Sequence, residues 1–205
     1  MQTLALTLAP SRPRVAARFA FEAACAVVGS FLVAGLAQVS IHLGFTPVPI
    51  TGQTLGVLLI GAAYGPSLGA ATMVLYLVWA VIGLPVLAPV NGVHDVGLHV
   101  LRFSFPTGGY LWGFVVAAGL TGWLSRRGWD RTFRSSISAM LLGSVVIYAF
   151  GVPWLMASIH VPVQTGLSYG LYPFVIGDLL KLLAAAGLLP AAWKLLKRYR
   201  PHEEA

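Results

Sequence analysis

Long apolar runs broken by short proline and glycine clusters constrain this chain more than any other feature. Residues 15–42, 51–64, 67–82, 107–125, 135–154 and 172–196 are poor in charge, and TPVPITG, YGPSLG, GLPVLAPVNG and FPTGG punctuate them. A run of about 17 residues or more suits a spanning helix, whereas a shorter one, such as 51–64, needs a tilt or shielding by its neighbours. The chain is 58% hydrophobic and 9% charged, against about 45–50% and about 25% in a soluble domain. No soluble core of 205 residues hides that much apolar surface, so the solvent is lipid. The sequence therefore predicts an all-α polytopic membrane protein: a six-transmembrane-helix bundle forming a single integral membrane domain over residues 1–205, with no soluble catalytic domain.

The net charge of +7 is distributed as a topology signal. Arg12, Arg14 and Arg18 stand at or before the first run, and Arg126, Arg127, Arg131 and Arg134 follow the fourth. Lys194, Lys197, Arg198 and Arg200 end the last run. Alternate loops sharing basic residues on one face are the positive-inside pattern, which excludes nucleic acid as the better explanation and predicts a multi-pass plasma-membrane protein with both termini cytoplasmic. The opposite loops carry Arg102 as their one Lys or Arg, and Trp154, Tyr169 and Tyr172 as interfacial anchors. Residues 98–103 read as a short amphipathic element over that outer end. The start, MQTLALTLAPSRPR, makes a poor secretory signal, because its apolar run is short and its arginines follow it. Cys25 is the only cysteine, so no internal disulfide forms.

Within PFVIGDLLKLLAAAGLLP, Asp178 and Lys181 interrupt one of the most apolar segments of the chain. A charge at mid-bilayer costs about 2.5–3.5 kcal/mol even on insertion scales, so such groups face a protein interior or a cavity. At i and i+3 the two project from one helix face. One reading is a self-satisfied pair that glues this helix to its neighbours; the other is a ligand site. Entry near Tyr172 places Asp178 about 9 Å and Lys181 about 14 Å into the membrane, within reach of a cup open to the outside. Such a cup offers an acceptor and a cation to a small ligand with N–H donors and a carbonyl or carboxylate, and no evident reaction. Glu22, one turn beyond Arg18, suits a local ion pair. His94, Asp95 and His99 match no common ligand spacing, so no metal is expected.

Three blocks carry a wider likeness: TPVPITGQTLGVLLIGAAYGPSLGAATMVLYLVWAVIGLPV, FPTGGYLWGFVVAAGL and YPFVIGDLLKLLAAAGL. With the alanine-rich first helix they resemble, over most of the chain, the BioY family, the biotin-binding S components of energy-coupling factor (ECF) transporters. The resemblance implies a six-helix protein that captures biotin near the outer surface, with no cofactor. Asp178 and Lys181 match the family's GD-LK motif, Gly108, Gly109 and Tyr110 match PTGGY, Gln53 matches the QTL block, and Asn91 matches a loop asparagine that contacts the ureido ring. Asp178 would accept from a ureido N–H, and the Asn91 amide would both donate and accept. Lys181 would either donate to the ureido carbonyl or pair with the valerate carboxylate, and the sequence leaves both open. Glycines 108 and 109 would admit close backbone approach, and Tyr110 an apolar wall with a polar tip. The chain departs from the family pattern in ITGQT for ITLQT and FPTGGY for GPTGGY, which bears on the loop contacts more than on the helix pair.

No GxxxxGK[ST] is present, so this sequence carries no phosphate-cradling loop of its own. The resemblance implies as partners a transmembrane coupling subunit and two cytoplasmic ATPases, within membrane lipid. Ala16, Ala20 and Ala24 form a small-residue stripe, which the family uses to dock the coupling subunit. Three alternatives stand beside this reading. The same architecture could serve another vitamin, such as thiamine or riboflavin. An intramembrane enzyme is a second, but neither HExxH nor GxSxG occurs and Ser144 has no motif around it, so no enzyme is expected. A packing or assembly protein is the third.

Overall fold

The computed structural model describes residues 3–8 and 15–199. Arg12, Arg14, Arg200 and the chain termini lie outside them. The described chain is built almost entirely of helices: α1 (Leu4–Leu8), α2 (Val15–Gln38), α3 (Gln53–Tyr64), α4 (Pro66–Val81), α5 (Gly108–Arg126), α6 (Phe133–Ile159), α7 (Val163–Gly170) and α8 (Val175–Tyr199). A two-stranded hairpin, β1 (Ser40–Ile41) and β2 (Ile50–Thr51), joins α2 to α3 with Ser40 opposite Thr51.

The punctuation acts where the sequence places it. Gly65, at φ +86°, ends α3, and Pro66 then occupies the first turn of α4, where its missing N–H costs nothing. The side chain of Thr132 caps α6 by accepting from the Ser135 N–H. His160, in the left-handed region at φ 56°, ends the same helix. Other boundaries differ from expectation. The first run stops as helix at Gln38, because residues 40–51 turn back as the hairpin. The fifth run continues through Pro153 to Ile159, since the lost backbone bond is tolerated within a long apolar helix. The element expected over 98–103 is a single 3₁₀ turn, Leu98–Leu101, and neither α1 nor α7 was anticipated.

Among the described residues, three stretches are long and apolar enough to cross a membrane: Val15–Gln38, Phe133–Ile159, and Val163–Leu196, which contains α7 and most of α8. Helix α3, with 12 residues, and α4, with 16, rise about 18 and 24 Å, short of a hydrocarbon core of about 30 Å. Helix α5 has length enough at 19 residues, but its glycines, Tyr110, Trp112 and Thr121 dilute its hydropathy.

Helix α5 is the central strut, packing most extensively on α6 and then on α3 and α4. Glycines make these approaches possible. A Cβ at Gly61 would overlap Thr121 Oγ1 and come within 2.5 Å of Ala118 O on α5. One at Gly122 would overlap Gly65 backbone, and one at Gly69 would lie 2.9 Å from Gly61 Cα. Small residues at a helix crossing gain dispersion contacts where lipid supplies no hydrophobic drive. Gly61→Ala should therefore overpack the α3–α5 crossing by about 1–3 kcal/mol. Gly119→Ala, where the nearest atom is 3.9 Å away, should change nothing. Thermal unfolding in detergent checks both: a lowered Tm for the first only is expected.

Candidate ligand-binding site

The starts of α3, α5 and α8 converge at one end of the bundle, around a cavity of about 260 Å³. Its floor is polar, formed by Thr51, Gln53 and Thr54 with Asp178 and Lys181. Its sides are apolar or aromatic: Leu111, Phe114 and Ile147 from α5 and α6, Phe174 before α8, and Val48 and Leu87 from the loops. This pairing of apolar wall and few convergent polar groups is the usual composition of a small-molecule site, and the volume falls just below the range of about 300–1,000 Å³.

Asp178 is buried, at 8% exposure, yet every donor it needs is at hand. Lys181 Nζ lies 2.7 Å from its Oδ1, and Thr54 Oγ1 donates to the same oxygen at 3.2 Å. The Tyr148 hydroxyl donates to Oδ2. Lys181 Nζ also reaches Thr54 Oγ1 at 3.3 Å. A carboxylate offers about four acceptor positions and an ammonium three donors. Three positions on Asp178 and two donors on Lys181 are engaged, so one acceptor and one donor remain, on two residues that line the cavity. The pair is thus both internally neutralised and open to a ligand. A neutral group carrying an N–H beside a C=O complements it.

Gln53 is also buried and fixed. Its Oε1 accepts from Thr51 Oγ1 at 2.9 Å, and its Nε2 donates to Tyr76 OH at 2.7 Å, which in turn donates to Val86 O at 2.9 Å. This relay ties the hairpin, α3, α4 and the following loop together. Tyr110 lines the cavity and donates to Gly170 O at 2.8 Å, its ring seated against Gly151.

The residues named from the sequence therefore separate into groups. Asp178, Lys181, Gln53 and Tyr110 meet at the cavity. Gly108 and Gly109 are not among its lining residues: a Cβ at Gly108 would lie 3.1 Å from Trp154 Nε1, and one at Gly109 would overlap Trp154 Cβ and sit 2.6 Å from Phe150 O. Their lack of a side chain serves the α5–α6 contact. Asn91 is exposed, with φ 51°, immediately after the lining residue Val90. Ala16, Ala20 and Ala24 are exposed on α2, beside Phe19 at 74%. Arg18 Nε and Glu22 Oε1 do pair, at 2.9 Å. His94 Nδ1 faces Leu87 O at 2.8 Å and His99 lies 3.4 Å from Asp95, so neither converges on a shared centre.

Sequence reasoning passed over Thr54, Tyr148 and Asp130. The first adjoins Gln53 in ITGQT, and the second is a hydroxyl inside an apolar run, which needs a partner when buried. Asp130 is 1% exposed at the other end of the bundle, accepting from Trp193 Nε1 at 2.6 Å, with the Arg131 guanidinium 3.3 Å from that indole's centre.

Comparison with known proteins places this geometry. The BioY family profile matches residues 10–198. A biotin transporter BioY of Rhizobium etli is 39% identical over 153 residues, 71% of this chain and 78% of that one. One from Thermotoga maritima is 37% identical over 150 residues, 73% and 82% respectively. The crystal structure of an S-component for biotin from an ECF-type ABC transporter superposes with a TM-score of 0.76 at 25% identity, covering 89% of this chain and 95% of that one. The profile covers nearly the whole length, the relatives and the architecture agree with it, and the chain belongs to the BioY family.

Proposed function

We propose that this protein is the substrate-binding S component of an ECF-type transporter and captures biotin for uptake. One observation carries the reading: a buried carboxylate paired with a half-buried ammonium, satisfied by Thr54 and Tyr148, on the lining of a cavity, with one acceptor and one donor unengaged. Biotin's ureido head presents N–H and C=O side by side, the complement of that edge. Gln53 and Tyr110 shape the floor and wall, and Asn91 reads the second N–H from the loop. Gly108 and Gly109 support the site by letting α5 carry Tyr110 close to α6. The protein binds its ligand and does not transform it.

The six helices α2, α3, α4, α5, α6 and α8 form the transmembrane bundle of one integral domain, the shorter ones shielded by α5 and completed by loops. Arg126, Arg127, Arg131 and Arg134 lie at or beyond the end of α5 that is remote from the cavity, so the charge bias argues for the cavity at the extracellular side and both termini in the cytoplasm. A coupling subunit and two cytoplasmic ATPases supply the energy. The exposed Ala16, Ala20 and Ala24 stripe on α2 is the surface for that subunit, because small side chains allow close helix approach.

Two measurements test this. Titration calorimetry on the purified protein should show tight binding of biotin and none of thiamine or riboflavin. Asp178→Asn and Lys181→Met should each weaken biotin binding by about tenfold to a hundredfold, from the about 1.5–3 kcal/mol of a hydrogen bond to a charged group. Full affinity in both variants would refute the site. Separately, Ala20→Trp should abolish co-purification with the coupling subunit while leaving biotin affinity intact; unchanged assembly removes the docking role.

A further inference from the structure

The connection between α5 and α6 carries more positive charge than its own acid neutralises. Asp130 is the only acidic residue between positions 120 and 140, and it is turned inward, 1% exposed and accepting from Trp193 Nε1 at 2.6 Å. Half-buried Arg131 stays with it, its Nε 3.5 Å from Asp130 Oδ1 and its guanidinium over the Trp193 ring. Arg126, Arg127 and Arg134 are exposed, and among the described residues none of the three is in an ion pair. Backbone bonds from Gly128 N to Ser125 O at 2.8 Å and from Arg131 N to Gly128 O at 3.2 Å fold the connection tightly. The last turn of α5 and the first turn of α6 thus bring the three guanidiniums to one end of this helix pair.

A topology signal requires arginines on this side of the membrane, but not the way they are mounted. Arg127 lies over the ring of Trp123, one turn earlier on α5, 3.5 Å from its centroid. Such stacking holds the guanidinium plane in place and leaves its N–H edge to donate. Trp123 is itself exposed, as are Val116 and Trp112. With Gly119 and Arg127 these residues recur at spacings of three or four, so all five share one face of α5. Gly119 opens that face, since a Cβ there would find nothing nearer than 3.9 Å. A lane without a side chain therefore runs between Val116 and Trp123 and ends at a fixed cation. Exposed Phe133, beside Arg134, adds apolar surface at the same end. An apolar lane closed by a guanidinium complements an acyl chain closed by a phosphate. We propose that this end of α5 and α6 binds one anionic phospholipid of the leaflet it faces, its phosphate on Arg127 and Arg134 and an acyl chain along the Gly119 lane. Charge selects the lipid: a headgroup of net negative charge offsets the excess, whereas a zwitterionic one brings a cation of its own. The site is independent of which vitamin the cavity takes.

Native mass spectrometry of the full chain, in detergent with equimolar phosphatidylglycerol and phosphatidylcholine, tests this. The wild type should retain phosphatidylglycerol over phosphatidylcholine by about tenfold or more, and Arg127→Ala and Arg134→Gln should each lower that preference by about fivefold, the usual gain of one basic group at an anionic surface. Both positions are exposed, so each variant should keep the wild-type Tm. Arg18→Ala removes an exposed arginine already paired with Glu22, and should leave the preference unchanged. Equal retention of the two lipids by the wild type would overturn the proposal. So would an equal loss in Arg18→Ala, which would mean diffuse surface charge instead of a site. Displacement of phosphatidylglycerol by soluble glycerol phosphate would also overturn it, because the acyl lane would then contribute nothing. If the preference held in both variants while co-purification with the coupling subunit failed, the patch would belong to that protein and not to lipid.

Discussion

An acid and an ammonium that lipid will not tolerate must be neutralised from within, and much of this architecture follows from doing so at one place. Asp178 takes Lys181 from its own helix, Thr54 from α3 and the Tyr148 hydroxyl from α6. Three helices that are distant in sequence are therefore pinned to one carboxylate. Hydrogen bonds of this kind are strong in a low-dielectric wall, and an unmade one there is equally costly. The pair is a structural junction and, in the proposed function, a recognition surface as well.

Holding three helices close enough for such short bonds needs the rest of the bundle to yield space. It does so through missing side chains. Gly61, Gly69 and Gly122 let α3, α4 and α5 touch backbone to backbone. Gly109, Gly151 and Gly170 surround Trp154 and Tyr110, so the aromatic rings occupy room that the glycines vacate. Overlaps of that size leave no tolerance for a methyl group, because packed interiors relax only partially. The hollow at the cavity end is thus a deliberate gap in an otherwise close-packed body.

How much of this was legible in the sequence depended on whether the signal was local. The Gly65–Pro66 break and the i, i+3 pair are local and stand where reading along the chain puts them, and the apolar runs do so apart from their ends, as at Gln38 and Ile159. Tyr148 and Thr54 were missed because what singles them out is proximity to Asp178 across 30 and 124 residues of chain. A one-dimensional pattern does not encode such proximity. Gly108 and Gly109 illustrate the reverse. A glycine pair signals close approach but not the identity of what approaches, and here the neighbour is Trp154. Pro153 lies near the end of the run expected over 135–154, yet α6 continues past it to Ile159, since a long apolar helix loses only one backbone bond there and its neighbours keep the rest.

The short helices give the cavity its place. Helix α3 rises about 18 Å and begins at Gln53, so the bundle on that side ends well before a hydrocarbon depth of about 30 Å is spanned. Backbone that is neither helix nor closed barrel survives at such depth only when it is covered by protein or lines an aqueous space. The hairpin and the loop after α4 meet that condition by returning their polar groups to the protein. Thr46 Oγ1 donates to Tyr169 O at 2.8 Å, Gly97 N to Ala80 O at 2.7 Å, and Trp154 Nε1 to Phe105 O at 2.9 Å. The polar floor is consequently carried on rigid helices, where side-chain geometry is well defined. The cover is carried on loops tied down at separate points. A chain that shortened no helix would have had neither the hollow nor the loops to close it.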